Sequence, residues 1–138
     1  MLLENRVALV TGASRGIGAA IAVELAAAGA AVGANYRAGQ DAAEQVVREI
    51  TERGGRAIAL QADVRDGDAL RAATDNLAGE FGGLDILVNN ALHNYRFDPV
   101  NNKSFPNMEW ADFQDQIDGT VKAAYNSCQA ALPHFHAR

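Results

Sequence analysis

A glycine-rich stretch near the start of the chain has the residue types and the spacing of an anion-binding turn. Residues 11–18 read Thr-Gly-Ala-Ser-Arg-Gly-Ile-Gly. An apolar run at residues 7–10 precedes the stretch, and Ile17, Ile21 and Leu25 follow at helical spacing. A strand, a tight turn and a helix amino terminus in this order present backbone N–H groups and partial positive charge to an anion. The stretch therefore predicts a site for the phosphates of a nucleotide, with a plain tight turn as the less specific alternative.

The composition is that of one ordinary globular domain. The chain has 138 residues, of which 49% are hydrophobic and 21% charged, and its net charge is -5. This acidic balance argues against a nucleic-acid-binding surface. No apolar run approaches the length of a membrane span, so no membrane partner is expected. The single cysteine, Cys128, cannot form an internal disulfide, which suits the reducing cytoplasm where we expect the protein to act.

Strand patterns and helix patterns alternate along the chain up to residue 89. Apolar runs predict four strands, at residues 7–10, 31–36, 56–61 and 84–89. The intervening segments predict three helices, which end at glycines, and Asp66 is the expected N-cap of the third. Right-handed crossovers then give an α/β fold with a doubly wound parallel sheet of the Rossmann type. Its strand order would be 3-2-1-4, with helices on both faces.

A long helix is expected to close the chain. It would run over residues 108–132, with Asn107 as its N-cap and Pro133 as its end. Its apolar residues at helical spacing predict a buried stripe, in which Cys128 would be a small buried side chain. The stripe comprises Phe113, Ile117, Val121, Ala124 and Cys128.

The loop before this helix and the end of the chain contain the three histidines. Residues 93–107 form a polar loop at the expected ligand edge, so its His93 is a candidate substrate contact, as are Tyr95, Arg96 and Phe97. His134 and His136 lie two residues apart, and no cysteine or carboxylate pattern adds metal ligands to them. We therefore expect a solvated tail and no metal site there.

Residues after the second predicted strand bear on which nucleotide would bind. In such a sheet the ligand crevice lies at the carboxyl ends of the strands. Tyr36 and Arg37 stand where an acidic residue would accept hydrogen bonds from a ribose 2′-hydroxyl. Arg37 instead offers a fork of donors that suits a 2′-phosphate, and Arg15 adds positive charge from the glycine turn. The two arginines favour NADP(H) over NAD(H), whereas two solvated surface arginines are the structural alternative.

Two further strand ends carry polar residues. Asp63 follows the third predicted strand, and Asn90 lies at the end of the fourth. Asp63 would either accept a hydrogen bond from an adenine amino group, with Val64 packing nearby, or satisfy backbone donors in its own turn. Asn90 would either hold a ribose or fix the strand end. The residues alone leave these alternatives open.

Together these motifs resemble the short-chain dehydrogenase/reductase family. The resemblance rests on residues 11–18, on Asp63-Val64, on residues 89–91 and on residues 130–133, in the right order and spacing over essentially the whole chain. Residues 35–37 are similar to those of NADP-preferring members, especially the 3-oxoacyl-carrier-protein reductases. The resemblance implies a diphosphate site at Gly12, Ser14, Arg15, Gly16, Ile17 and Gly18. It also implies a 2′-phosphate site at Tyr36-Arg37, an adenine site at Asp63 and Val64, and a ribose site at Asn90 and Ala91.

Two positions depart from the family's pattern. The motif after the fourth strand usually continues with glycine, and here Leu92 stands in that place. Alignment of the long helix puts Thr120 where the family has its catalytic asparagine. Thr120 would either hold a water there or bond back to the helix carbonyl one turn earlier.

The family's proton donor is a tyrosine whose pKa is lowered by a lysine four residues later. Gln40, Pro99 and Gln129 stand four residues after the three tyrosines, so none of them has that lysine. The resemblance places the tyrosine and a serine beyond Arg138. Strand four, an apolar run, would also lack a neighbour on one side. We therefore expect residues 1–138 to be a dinucleotide-binding domain that ends after the fourth strand and its helix, with the other half in a second chain or a cleaved segment.

The sequence thus predicts the cofactor half of an NADP(H)-dependent oxidoreductase. It would interconvert a small-molecule carbonyl and alcohol by hydride transfer, with a 3-oxoacyl substrate favoured, and the complete enzyme would be a homodimer or homotetramer. The chain alone would be inactive without the serine, tyrosine and lysine. The alternative is a non-catalytic NADPH-binding module that serves as a sensor or scaffold, which Leu92 and Thr120 favour.

Overall fold

The described part of the chain, residues 1–92 and 98–138 of a computed structural model, forms a parallel sheet between two layers of helices. In chain order the elements are β1 (Val7–Val10), α1 (Gly16–Ala27), β2 (Ala31–Tyr36), α2 (Gln40–Glu52), β3 (Arg56–Gln61), α3 (Gly67–Phe81), β4 (Ile86–Val88), a 3-10 turn (Phe105–Asn107), α4 (Trp110–Ile117), a π-helical turn (Asp118–Lys122) and α5 (Ala123–His136). All pairings are parallel and the strand order is β3-β2-β1-β4. The predicted fold class and strand order are confirmed.

The central strand β1 divides the interior into two cores because its side chains alternate between the two faces of the sheet. Val7 and Leu9 belong to the core beneath α3 and α5. Ala8 and Val10 belong to the core beneath α1 and α2. All four are at most 1% exposed, as expected for a strand covered on both sides. The prediction of helices on both faces is confirmed.

Local signals fix the ends of the helices that flank this sheet. Asp66 caps α3 as predicted, because its Oδ1 accepts hydrogen bonds from the backbone N–H groups of Asp68 and Ala69, both at 3.1 Å. Gly82 ends α3 with a φ of 87°, a conformation that disfavours residues with a Cβ.

The start and end of the long helix differ from the prediction. Asn107 lies in the preceding 3-10 turn, and Glu109 is the N-cap instead, because Glu109 and Asp112 form a reciprocal capping box. Pro133 lies inside α5 and does not end it. The residues after Pro133 are held by tertiary bonds: His134 Nε2 lies 2.7 Å from Asp75 Oδ1, so the predicted solvated tail is wrong at His134.

The predicted buried stripe of this helix is also wrong. Val121 is 67% exposed, Ile117 41% and Phe113 38%, Ala124 is half-buried, and Cys128 is exposed. Small residues face the core in their place: Ala123, Ser127, Ala130 and Ala131. Both sides of the helix carry apolar residues, and spacing alone does not tell which side meets α3. Close packing of two helices admits the small side chains, so the large apolar ones lie outside.

Candidate substrate contacts His93, Tyr95, Arg96 and Phe97 lie outside the described residues. Among the residues that are described, no helix combines the length and the apolarity needed to cross a membrane.

Gly33 provides a test of the packing beneath α3. A Cβ built on Gly33 would lie 2.7 Å from Leu77 Cδ2 and 2.8 Å from Leu60 Cδ1, and both leucines are buried. We expect Gly33→Ala to lower the free energy of unfolding by about 1–3 kcal/mol, because the added methyl group would overpack the core. The exposed Gly79 in α3 has open space around its Cβ position, so Gly79→Ala should raise stability by about 0.5–1 kcal/mol. Urea unfolding of both variants measures this, and equal stabilities would contradict it.

Candidate nucleotide-binding site

The glycine turn between β1 and α1 is shaped to receive an anion. Gly12 and Gly16 have φ angles of 63° and 57°, which glycine adopts without strain. Arg15 is the N-cap of α1, and its side chain makes no capping hydrogen bond. Arg15 therefore does not occupy the first-turn N–H groups of α1, and N–H groups left without a capping side chain are the kind that bind phosphate at helix amino termini. A Cβ at Gly16 would meet no atom within 4 Å, so the approach to the turn is open.

Of the next two turn residues, Gly18 packs against the backbone of the turn and Ile17 is exposed to solvent. A Cβ on Gly18 would lie 2.2 Å from the Gly12 carbonyl oxygen, so Gly18 is needed for the turn to close on α1. Ile17 is 73% exposed at the mouth of the turn. Its predicted place in the site stays a prediction.

The end of β4 fixes the glycine turn from one side. Thr11 Oγ1 accepts hydrogen bonds from the backbone N–H groups of Asn90 and Ala91, both at 3.0 Å. Asn90 Nδ2 donates to the carbonyl oxygens of Thr11 and Gly12, both at 3.1 Å. Asn90 thus fixes the strand end, the structural alternative given above. The ribose contact that the resemblance implies for Asn90 would be made by Oδ1, a hydrogen-bond acceptor, because Nδ2 already donates two bonds.

The end of β2 brings the second candidate arginine to the same edge. Tyr36 is buried at 7% exposure, whereas Arg37 is exposed. Gln61 Nε2 donates to the Arg37 carbonyl oxygen at 3.2 Å and thereby holds this backbone to β3. The Ser14 hydroxyl lies beside Gly39, 3.4 Å from the position of a Cβ built there. The glycine turn, with its exposed Arg15, is therefore adjacent to the loop that carries Arg37.

Asp63, at the end of β3, is held as a carboxylate by Arg65. Arg65 Nη2 donates to Asp63 Oδ2 at 2.8 Å, and Arg65 Nε and its backbone N–H donate to Asp63 Oδ1 at 3.1 and 2.9 Å. The side-chain bond from Arg65, helped by the charge of Arg37, lowers the pKa of Asp63 from 3.8 to about 2. Asp63 thus accepts a backbone donor of its own turn, the structural alternative given above, and its Oδ2, which accepts one of these bonds, keeps lone-pair capacity for a further donor such as an adenine amino group.

A cavity of about 150 Å³ lies between the end of β4 and the π-helical turn. Thr120 lines it together with Thr11, Leu92 and Ser127. The Thr120 hydroxyl donates to the carbonyl oxygen of Gln116, so the back-bonded alternative is the one observed. π-Helical turns often lie at functional sites, and this one borders the same strand edge as the glycine turn.

Sequence reasoning missed three polar residues that support these segments. Arg65 holds Asp63, and Asn126 Nδ2 donates to the Val64 carbonyl oxygen at 2.9 Å from α5. Asn35, inside β2, bonds to both the glycine turn and the end of β3. The available signals were an arginine two residues after Asp63 and an asparagine within an apolar strand.

Comparison with known proteins identifies the family. Residues 6–138 match the model of the family described as short chain dehydrogenase. The chain therefore belongs to the short-chain dehydrogenase family of oxidoreductases, as the resemblance implied.

The similar proteins include both curated relatives and solved structures. The chain is 40% identical over 128 residues to a 3-oxoacyl-acyl-carrier-protein reductase of Staphylococcus aureus, covering 93% of this chain and 50% of that protein. It is 40% identical over 133 residues to 3beta-hydroxysteroid dehydrogenase 1 of Eggerthella lenta, covering 96% and 49%. A Burkholderia cenocepacia short chain dehydrogenase, solved in complex with NADP, superposes with a TM-score of 0.86 at 45% identity, covering 97% and 52%. The chain thus spans about half the length of these relatives.

The Asp63–Arg65 pair generates a pH prediction. Because the pKa of Asp63 is lower in the folded chain than the ordinary 3.8, its carboxylate stabilises the fold above pH 3.8, and this stabilisation is lost as the pH falls towards 2. We expect Arg65→Met to raise the pKa of Asp63 towards 3.8, measured by an NMR titration of the carboxyl carbon. Arg71→Met, on the exposed side of α3, is the control. A pKa still near 2 in Arg65→Met would show that the guanidinium is not the cause.

Proposed function

We propose that the chain binds NADP(H) and is the cofactor half of a carbonyl reductase of the 3-oxoacyl type. The observation that carries this proposal is that two exposed arginines lie on adjacent segments, one of which is the start of a helix without a side-chain cap. Arg15 precedes α1, and Arg37 follows β2 on the adjacent loop. The helix terminus suits a diphosphate, and a guanidinium suits the doubly charged 2′-phosphate that distinguishes NADP(H) from NAD(H).

Each predicted contact has a residue of suitable chemistry at the strand edge. Gly12, Ser14, Arg15, Gly16, Ile17 and Gly18 would surround the diphosphate, and Arg37, beside the buried Tyr36, would pair with the 2′-phosphate. Asp63 and Val64 would hold the adenine, and Asn90 and Ala91 the ribose. The NADP complex of the similar Burkholderia protein supports the choice of cofactor.

The reaction we propose is hydride transfer between nicotinamide and a carbonyl or alcohol. The bound nicotinamide would supply or accept the hydride. Thr120 lines the cavity next to the strand edge and would contribute a hydroxyl there, in the place of the family's asparagine. The proton donor would come from the other half, because no tyrosine here has a lysine four residues later. The named relatives are a reductase and a dehydrogenase, and they give no support to a sensor or scaffold.

We propose that residues 1–138 form one dinucleotide-binding domain, which a further polypeptide segment and self-association complete. Two exposed surfaces support this proposal. The strand β4 lies at the sheet edge and its three residues are only half-buried, unlike those of β1. The π-helical turn and the two helices beside it carry exposed large apolar side chains, and Val121 and Tyr125 are 67% and 61% exposed. Exposed apolar side chains grouped on one segment are typical of an interface. We place the complete enzyme in the cytoplasm as a homodimer or homotetramer.

The cofactor proposal is tested by reversing the charge at Arg37. We expect Arg37→Asp to weaken NADPH binding at least tenfold more than NADH binding, because it replaces a charge-assisted partner of the 2′-phosphate with a repelling carboxylate. Titration calorimetry with each cofactor measures the ratio. Arg48→Asp makes the same charge change on the exposed side of α2 and should leave the ratio unchanged. An equal loss of both cofactors in Arg37→Asp would overturn the 2′-phosphate assignment.

The proposed second half has its own test. Mass spectrometry of the protein purified from its source should detect a polypeptide segment with Tyr-x-x-x-Lys, either copurifying with residues 1–138 or continuous with them. Material that contains the segment should oxidise NADPH in the presence of a β-keto ester. Turnover by residues 1–138 alone would contradict the proposed division of labour.

A further inference from the structure

Asn35 is a polar side chain in the interior of an otherwise apolar strand. It lies one residue before the end of β2, all six residues of which are buried, and it is 2% exposed. Burying an amide costs free energy unless its hydrogen-bonding groups find partners. The partners of Asn35 therefore show what this position requires.

The Asn35 side chain bonds to two separate segments of the candidate site. Its Oδ1 accepts the backbone N–H of Gly12 at 3.2 Å. Its Nδ2 donates to the carbonyl oxygens of Leu60 and Ala62, at 3.2 and 3.1 Å. Gly12 begins the glycine turn, and Ala62 directly precedes Asp63, so one amide group spans the proposed diphosphate and adenine segments.

The bond to Gly12 lies where the β1–β2 ladder has ended, whereas β2 stays paired with β3 as far as Tyr36 and Gln61. Pairing of β1 with β2 ends at Val10 and Ala34, one residue before Asn35. Beyond that pair the glycine turn leaves the sheet, and Asn35 continues the connection through its side chain and through its carbonyl oxygen, which accepts from Ala13 N–H at 2.8 Å. The side chain has both acceptor and donor capacity, which the turn on one side and the β3 carbonyls on the other require.

We propose that Asn35 is a positioning residue that fixes the glycine turn relative to the Asp63-Val64 segment and thereby sets the geometry in which NADP(H) binds. The inference rests on the proposed NADP(H) function. Asn35 is too buried to touch a ligand, so its effect passes through Gly12 and Ala62. A cofactor that contacts both segments gains affinity when their separation is set before binding, since no ordering remains to be done.

Two substitutions separate the two connections. Asn35→Leu keeps an approximately similar volume and removes all three side-chain bonds. Asn35→Asp keeps an acceptor for Gly12 N–H but loses both donors, and its carboxylate faces the Leu60 and Ala62 carbonyl oxygens. The control is Thr74→Val, which removes the 2.7 Å bond from a fully buried hydroxyl to Leu70 within α3, a bond that involves no residue of the proposed site.

Backbone amide exchange, measured by NMR in the absence of cofactor, tests whether Asn35 positions these segments. We expect Asn35→Leu to increase exchange about tenfold at Gly12, whose N–H bonds to Asn35 Oδ1, a loss of roughly 1.4 kcal/mol of protection. The bonds to β3 are followed by the carbonyl ¹³C shifts of Leu60 and Ala62, which accept from Asn35 Nδ2 and should change in both Asn35 variants. Asn35→Asp keeps an acceptor for Gly12 N–H and should therefore increase exchange at Gly12 less than Asn35→Leu does. Thr74→Val should change neither measurement.

Calorimetric titration with NADPH then tests the functional consequence, at a temperature where every variant is folded. Asn35→Leu should weaken NADPH binding about tenfold or more, because misplaced binding groups are costly. Binding equal to wild type, or a loss matched by Thr74→Val, would overturn the inference. If neither Asn35 variant folds, Asn35 has only a structural role and the inference fails. Failure of the wild-type chain to bind NADPH and NADH would instead overturn the proposed function, while the exchange data would still test the connection.

Discussion

The structure depends on how the backbone is satisfied where β1 ends and the glycine turn begins. A tight turn with positive φ at Gly12 and Gly16 leaves the ladder, so its N–H and C=O groups need other partners. Asn35 accepts the Gly12 N–H, and Asn90 donates to the carbonyl oxygens of Thr11 and Gly12. Thr11 Oγ1 in turn accepts the backbone N–H groups of Asn90 and Ala91. These bonds fix the turn relative to its neighbouring strands, and in the proposed function they would preorganise it for the diphosphate.

This constraint explains why several polar side chains at the strand edge have structural partners. Asn90 uses both Nδ2 protons on the backbone of Thr11 and Gly12, and Asp63 is bonded by Arg65. Such groups do not thereby lose a role in binding. Each keeps acceptor capacity, and its orientation is fixed by the bonds it already makes. At this edge, residues that are proposed to bind the cofactor therefore also have structural partners.

Much of this arrangement could be predicted from the sequence because its signals are local. The alternation of apolar runs with helical spacing determined the sheet and its order, and Asp66 was recognised as an N-cap from its position alone. The helix after β4 was misread at Pro133 and in its buried stripe, because tertiary contacts with α3 decide both. Asn35 was missed because its partner is distant in sequence, and no spacing rule predicts a bond from Asn35 to Gly12. Arg65 differs, because its bonds to Asp63 are local and the spacing of two residues was available in the sequence.

The electrostatics of the edge suggest how binding and proton transfer are divided. Asp63 has a pKa of about 2, held down chiefly by Arg65 and further by Arg37, so it stays ionised at every physiological pH. Arginine side chains likewise keep their charge throughout that range. The charges proposed to hold the adenine and phosphates are thus constant, and cofactor binding at this end should not follow the protonation of the enzyme. A group that exchanges protons with a carbonyl needs a pKa near the working pH. These fixed charges do not meet that requirement, so in the proposed function they would bind and orient the cofactor and would not transfer the proton.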